Sequence, residues 1–216
     1  MKIKSFSKIN LTLRVLKKFK NGMHNIETNS TLVNLFDDID IKKNKKDKII
    51  FKGKFKNKIN LKKNSIKETI KILRNLKIIE NFYKIVVKKN IPVYAGLGGG
   101  TSNSASIVKY FAKNRLDKKL VLNCEKKIGS DFRLFLNNNS YQKNLREVFK
   151  SYNTIRSPII IVFPNVDSKT KNVYKAVKKF SPSSGNRYLK KIKKKNFIEI
   201  IKKDQNDLQK IVEKKF

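Results

Sequence analysis

Pro92-Val93-Tyr94-Ala95-Gly96-Leu97-Gly98-Gly99-Gly100-Thr101-Ser102 decides how this chain is read. Four of the eight glycines in the sequence fall within residues 96–100. Glycine admits positive φ and lets the backbone approach a ligand closely. Ahead of the stretch, Phe82 to Lys88 reads as a strand closed by Asn90-Ile91-Pro92. Behind it, Ala105, Val108, Phe111 and Ala112 recur at helical spacing, with Ser102 as candidate cap. A glycine loop between strand and helix gathers free amides and a helix N-terminus on one point, which is an anion cradle. Thr101 and Ser102 can donate to phosphate oxygens or bind Mg²⁺ through their hydroxyls. No Gly-Lys-Ser/Thr follows, so the loop is not of the Walker type. No acidic residue sits after a second strand about 20 residues on, so it is not the dinucleotide fingerprint. The plain alternative is a flexible turn. The strand before, the hydroxyl pair and the apolar helix after it favour a phosphate site.

Outward from the loop, the period of the apolar residues sets the elements. From Ile3 to Val15, Ile9, Leu11, Leu13 and Val15 alternate with Lys8, Asn10, Thr12 and Arg14, a half-buried strand. Lys8 and Asn10 are therefore placed on its polar face, away from the core. Asn21-Gly22 marks a turn. Ile26 to Phe36 reads as a second strand, ended by Asp37-Asp38. Residues 42–63 read as weak edge strands and loops. Ile66, Ile70 and Leu73 predict a helix from Asn64, the N-cap, to Leu76. A shorter helix is predicted over 118–127, broken by Gly129-Ser130. Residues 137–140 form a polar turn and 150–157 a linker. Pro158 to Phe163, an unbroken apolar run, reads as a fully buried strand. Helices are expected at 173–179 and 197–215. The domain reading is 1–150 for a nucleotide-binding domain and 151–216 for part of a second.

Composition narrows the classes. The 216 residues carry 53 Lys plus Arg against 16 Asp plus Glu, a net charge of +37. Hydrophobic residues make up 39%, under the usual roughly 45–50% but enough for a core. There is no apolar stretch of about 18 residues and no signal-peptide pattern, so no membrane partner is expected and a cytoplasmic setting is the default. The single Cys124 and single His24 exclude a disulfide framework, a cysteine-based zinc site and a multi-histidine metal site. The charge by itself points to nucleic acid. Yet only seven of the 53 cations are Arg, and Lys, Asn and Ile are inflated together, as A/T-rich codons would produce. Nucleic-acid surfaces favour Arg forks with interleaved aromatics, so a nucleic-acid partner is not expected. A positive field still favours a phosphorylated substrate.

Pro92 to Ala105 resembles the central motif of the galactokinase, homoserine kinase, mevalonate kinase and phosphomevalonate kinase (GHMP) superfamily. Ser7-Lys8-Ile9-Asn10-Leu11, Gly22-Met23-His24 with Thr28, Gly129-Ser130-Asp131, Pro164 with Thr170 and Val173-Tyr174, and Asn206-Asp207-Leu208 follow in order. Together they resemble the family that phosphorylates a cytidine-diphosphate-linked methylerythritol. The resemblance implies an α+β fold in two lobes, the first like ribosomal and elongation-factor βαβ domains, the second an incomplete α/β sandwich. It implies ATP phosphates on Pro92 through Ser102, with Asn64 and Lys89 near the adenine. It implies Asp131 as the base and Lys8 as its cationic partner, both catalytic. It places the substrate on Asn10, His24, Thr170 and Tyr174, with the cytosine on His24 and Tyr174. ATP and Mg²⁺ are the implied cofactors. Phosphoryl transfer suits these residue types independently, since it needs positioning, charge neutralisation and a base.

The chain departs from the family at four places. Met23 replaces an aromatic expected on the cytosine. Arg133 stands where a proline is usual. Asn144-Leu145-Arg146-Glu147 replaces a glycine-rich turn. The third, glycine-rich motif does not occur before Phe216, so an incomplete second lobe with weakened activity is an expectation. A basic RNA-binding module or inactive remnant that kept the N-terminal fold, and a GHMP kinase for another alcohol, are the rival readings.

Overall fold

A computed structural model describes residues 1–61, 64–113, 115–164, 170–191 and 193–214. The alternating opening segment forms strand β1, Lys2–Lys18. The second strand, β2, runs His24–Asn44, eight residues past the expected end at Phe36. Asp37 does not stop it: the side chain is buried and takes hydrogen bonds from neighbouring segments, so the strand continues around it. Strand β3 is Lys48–Lys52 and helix α1 is Ser65–Asn75. Strand β4 is Phe82–Lys88, and α2 and α3 are Gly99–Phe111 and Lys118–Lys127. Short strands β5, Asn139–Gln142, and β6, Val148–Lys150, precede helices α4, Thr170–Lys175, α5, Lys194–Lys203, and α6, Gln209–Glu213. The content is α+β, as the sequence predicts.

Two compact units divide the chain. The first comprises Met1–Lys8, Val33–Val93 and Leu97–Leu136. Here β2 pairs antiparallel with β4, Ile39 opposite Val87 and Ile41 opposite Ile85. Strand β3 lies parallel to β4, Ile49 opposite Ile85, with α1 as the connection that a parallel pair requires. Ile66, Ile70 and Leu73 of α1, Ile107 and Val108 of α2, and Leu120 and Cys124 of α3 are buried, as are Ile39, Ile85 and Val87 of the sheet. Asn64 Oδ1 accepts the Lys67 amide at 3.0 Å, the expected cap. Burial pushes the Cys124 thiol up to about 12, so it stays protonated and acts as a small apolar residue.

The second unit comprises Ile9–Leu32, Tyr94–Gly96 and Asn137–Phe216. Strands β2, β5 and β6 pair antiparallel, with Thr28 opposite Gln142 and Tyr141 opposite Phe149. Leu13, Val15 and Ile26 form one buried cluster, joined by Tyr174, Val177 and Leu208. Tyr141, Tyr188 and Phe197 form another. The helix expected over 197–215 is broken after Lys203, because Asn206-Asp207-Leu208 bonds to β1 instead of continuing it. The Leu13 amide donates to Gln205 O, the Asp207 amide to Leu13 O, and the Val15 amide to Asp207 Oδ2 at 2.7 Å. The run 158–163 is not a buried strand. It has no regular structure, and Ile160 and Val162 are 93% and 82% exposed. A buried strand needs ladder partners on its edges, and among the described residues no strand pairs with this segment.

Asp204 anchors the second unit. Its Oδ1 accepts the Arg14 guanidinium at 2.7 Å and its Oδ2 the Tyr188 hydroxyl at 2.5 Å. Burial pushes the carboxyl up, but the Tyr188 hydroxyl, the Gln205 amide and Arg14 outweigh it and hold the pKa below 3.8. A depressed folded value means that its stabilisation is complete above the unfolded pKa and is lost as the pH falls through the folded one. Asp204→Ala removes the carboxylate partner of Arg14 and of the Tyr188 hydroxyl and is expected to cost about 3–5 kcal/mol at neutral pH. Urea melts of variant and wild type check this; the difference shrinks as the pH falls below the unfolded carboxyl pKa.

Candidate active site

Everything that converges on the glycine loop from its own unit starts from the N-terminus of α2. The expected Ser102 cap is corrected: the helix begins at Gly99, and its cap is Gly98, four residues before Ser102 and in the left-handed region at φ +68°. The Lys8 amide donates to Leu97 O at 3.1 Å, so β1 lies along the loop. That pairing also overturns the placing of Lys8 on an open face. Its side chain is only 5% exposed, and its stem runs beside Gly98, with Cγ 3.6 Å from where a Gly98 Cβ would stand. The ammonium at its tip lies 3.5 Å from Asp131 Oδ2. Asp131 is 39% exposed and sits in the short 3-10 turn Ser130–Phe135. Gly129 opens that turn at φ +154°, and a Cβ there would stand 3.8 Å from Thr101 Oγ1. Lys8, the α2 N-terminus and Asp131 therefore meet at one place.

The arrangement has a chemical logic. The first amides of an α-helix have no partner within the helix and carry its positive end, so they attract a phosphate. Lys8 adds a positive charge and Asp131 supplies a carboxylate able to accept a proton from a hydroxyl. Arg133, at the proline position, donates through Nη2 to Glu125 of α3 at 2.9 Å, which fixes the turn that carries Asp131.

Of the two hydroxyls after the glycines, Ser102 turns inward. Its Oγ donates to Phe6 O at 2.5 Å and bonds the Ser5 hydroxyl at 2.7 Å, and the residue is buried. Thr101 is half-buried at the loop. Ser65 Oγ of α1 donates to Gly100 O at 2.9 Å and braces the loop's far end, while the Asn64 side chain is spent on capping that helix. Lys89 is buried with its ammonium on Asp37 and on Asn103 Oδ1, beneath the loop. Asp37, Asn103 and Ser5 are site-supporting residues that the sequence reading missed. The signal was present in Asp37, a carboxylate inside an otherwise apolar strand pattern.

In the second unit, the His24 and Tyr174 rings lie 5.3 Å apart at 32°. His24 Nε2 is buried without a hydrogen-bond partner. Burial, then the Lys18 charge, lowers the His24 pKa, which keeps the imidazole neutral at neutral pH. Met23 beside it is exposed. Asn10 is half-buried in the same unit. The backbone of Thr170 opens α4, while its side chain lies outside the described residues. Asn144 Oδ1 accepts the Arg146 and Glu147 amides, so a side-chain turn replaces the glycine-rich one.

Residues 64–132 match the model of the GHMP kinases N terminal domain. The 4-diphosphocytidyl-2-C-methyl-D-erythritol kinase of Pelagibacter ubique is 36% identical over 225 aligned positions, taking in 100% of this chain and 77% of that one. The enzyme of the same name from Ureaplasma parvum is 40% identical over 144 positions, 63% of this chain and 53% of its own. This chain thus spans about three quarters of the first relative and about half of the second. A crystal structure of 4-(cytidine 5'-diphospho)-2C-methyl-D-erythritol kinase shares the fold with a TM-score of 0.66 at 20% identity, over 100% of this chain and 78% of that one. Methanococcus jannaschii mevalonate kinase shares it at 0.54 and 17%, over 98% and 75%. With more than a third of its positions identical to the Pelagibacter enzyme from end to end, the chain belongs to the 4-diphosphocytidyl-2-C-methyl-D-erythritol kinase family of the GHMP kinases.

Proposed function

We propose that this chain is an ATP-dependent kinase for the 2-hydroxyl of 4-diphosphocytidyl-2-C-methyl-D-erythritol, in non-mevalonate isoprenoid precursor synthesis. The observation that carries the reading is the Lys8–Asp131 pair beside the α2 N-terminus. Pro92 through Ser102 hold the ATP phosphates, mainly through backbone amides. Asn64 and Lys89, whose side chains are engaged within the fold, shape the adenine end without reaching into it. Asp131 accepts the proton of the acceptor hydroxyl as its oxygen bonds to the γ-phosphorus. The bond to the bridging oxygen breaks and ADP leaves. Lys8 holds Asp131 in place through their ion pair and neutralises charge on the transferred group.

Among the described residues no cluster of three acidic or thiol and imidazole groups could cage a metal. Mg²⁺ would be held chiefly by phosphate oxygens and water with one or two protein oxygens. Thr101 Oγ1 would join them, and the ion would supply charge neutralisation on the phosphates. The first unit carries most of the nucleotide side. Asn10, His24, Thr170 and Tyr174 bind the acceptor, a small cytidine-diphosphate-linked molecule. Cytosine meets a neutral imidazole with an unused nitrogen and a neighbouring phenol ring.

A coupled ADP-release assay with the cytidylated methylerythritol, homoserine and mevalonate tests the proposal. Turnover is expected with the first alone; preference for another alcohol, or none with any, overturns it. His24→Ala removes one buried polar contact and is expected to raise KM for the acceptor by about 10- to 100-fold, with KM for ATP unmoved. Equal effects on both would detach His24 from the cytosine.

A further inference from the structure

One fully buried carboxylate lies beneath the nucleotide loop and is not part of the chemistry described above. Asp37, in β2, is 0% exposed. Its Oδ1 accepts the Asn90 amide at 2.7 Å and the Ile91 amide at 2.9 Å, the two residues that lead from β4 into the glycine stretch. Its Oδ2 accepts the Lys89 ammonium and Asn103 Nδ2, the latter at 3.0 Å. Lys89 in turn donates to Asn103 Oδ1 at 3.1 Å. The Lys89 Nζ stands 3.3 Å from where a Gly99 Cβ would be, directly under the first residue of α2.

From Asn103 the bonds run on in one direction. Asn103 Nδ2 also donates to Ser5 Oγ at 3.0 Å. Ser102 Oγ gives its proton to Phe6 O, so the 2.7 Å contact between the Ser5 and Ser102 hydroxyls is a donation from Ser5. The relay Asn103 to Ser5 to Ser102 to Phe6 ends two residues before Lys8 on β1. A buried, fully satisfied polar network of this kind fixes geometry, because each broken bond leaves an uncompensated group.

We infer that Asp37 is a positioning residue with two arms: one sets the glycine loop through Asn90, Ile91 and Lys89, the other sets the height of Lys8 through Asn103, Ser5 and Ser102. The inference rests on the kinase reading of the loop and of Lys8. It separates nucleotide binding from chemistry. The first arm acts on where the phosphates rest, the second on the distance from the Lys8 ammonium to Asp131 and the reacting oxygens. Misplacement of reacting groups by about 1 Å costs about a hundredfold in rate.

Two variants of the full chain read the arms separately. Asp37→Asn keeps the shape but removes the charge that holds Lys89, and is expected to weaken ADP binding and raise KM for ATP by about 10- to 100-fold. KM for the cytidylated acceptor stays at the wild-type value. Asn103→Leu cuts the second arm while the Lys89–Asp37 pair remains, and is expected to lower kcat by about tenfold or more with KM for ATP little changed. A role confined to stability would lower the melting temperature and the active fraction and leave both KM values, and the kcat per ADP-binding site counted by titration, at wild type, and that result overturns the inference; every kcat compared here is per ADP-binding site. If Asp37→Asn fails to fold, Asn103→Leu decides: an unchanged kcat overturns the inference, and a fall in kcat at constant KM supports it. Wild-type protein that binds ADP yet phosphorylates no acceptor would remove the proposed reaction. The inference would then be judged on ADP affinity alone, where an Asp37→Asn value equal to wild type overturns it.

Discussion

Asp131→Asn is expected to lower kcat by about 10²- to 10⁴-fold, the range that a positioned general base contributes. The replacement is nearly isosteric. It keeps an oxygen facing the Lys8 ammonium, now 3.5 Å away, but an amide takes no proton from an alcohol at neutral pH. Asp131 is partly exposed and lies at the surface of a short turn, so the fold loses little. The turn itself is held by Phe132 and Phe135, both buried, and by the Arg133–Glu125 pair, none of which the change touches. In the proposed site nucleotide binding rests on the loop amides and on the α2 N-terminus, so ADP affinity should stay within about threefold of wild type. Single-turnover ADP release, with ADP titration on the same preparation, separates the two quantities. Unchanged turnover removes Asp131 from the mechanism. Loss of ADP binding along with turnover would assign it to the loop instead.

That pair also shows what the sequence can disclose and what it cannot. Local signals were sufficient for the elements: the alternation of β1, the Asn64 cap of α1, the bounds of β4 and α3. Each depends on neighbours a few residues away. Lys8 is different. Alternation places it on the polar face, yet the glycine loop covers that face, and no period in the first eighteen residues encodes the cover. Its meeting with Asp131 came only from the order of motifs shared with a family. Asp37 failed for the same reason: an acidic residue reads as a strand end until the donors that bury it, from 89–91 and 103, are known. The Ser102 cap failed because a glycine with positive φ starts the helix a turn earlier and leaves the hydroxyl free to bond Phe6. At 158–163 hydrophobicity indicated burial, but burial is a property of what lies alongside, and the segment joins no strand and leaves Ile160 and Val162 open to solvent.

Gly98→Val should abolish measurable nucleotide binding and lower the melting temperature, because two independent costs fall on one atom. The residue sits at φ +68°, where a β-branched side chain is a rare outlier, at about 1–3 kcal/mol. Its Cβ would also stand 2.5 Å from Phe135 Cζ and 3.1 Å from Cε2, inside any real contact distance. Phe135 is buried and cannot swing away freely, so relief requires the ring or the loop to move, an overpacking cost of about 1–3 kcal/mol. Either movement reaches the site. Phe135 closes the turn that carries Asp131, and the loop carries the amides and the Leu97 carbonyl bonded to Lys8. At Gly99 the added atom would instead press on Ile91, at 3.0 Å, and stand close to Lys89, so a substitution there acts through the buried support of the loop. Gly22→Ala is the control for backbone strain alone, with φ +80° and nothing within 4 Å of its Cβ. It should lose about 1 kcal/mol of stability and keep ADP affinity. Calorimetric ADP titration and thermal melts of the three proteins give the comparison. Wild-type affinity in Gly98→Val would mean that the phosphates rest somewhere other than on this loop.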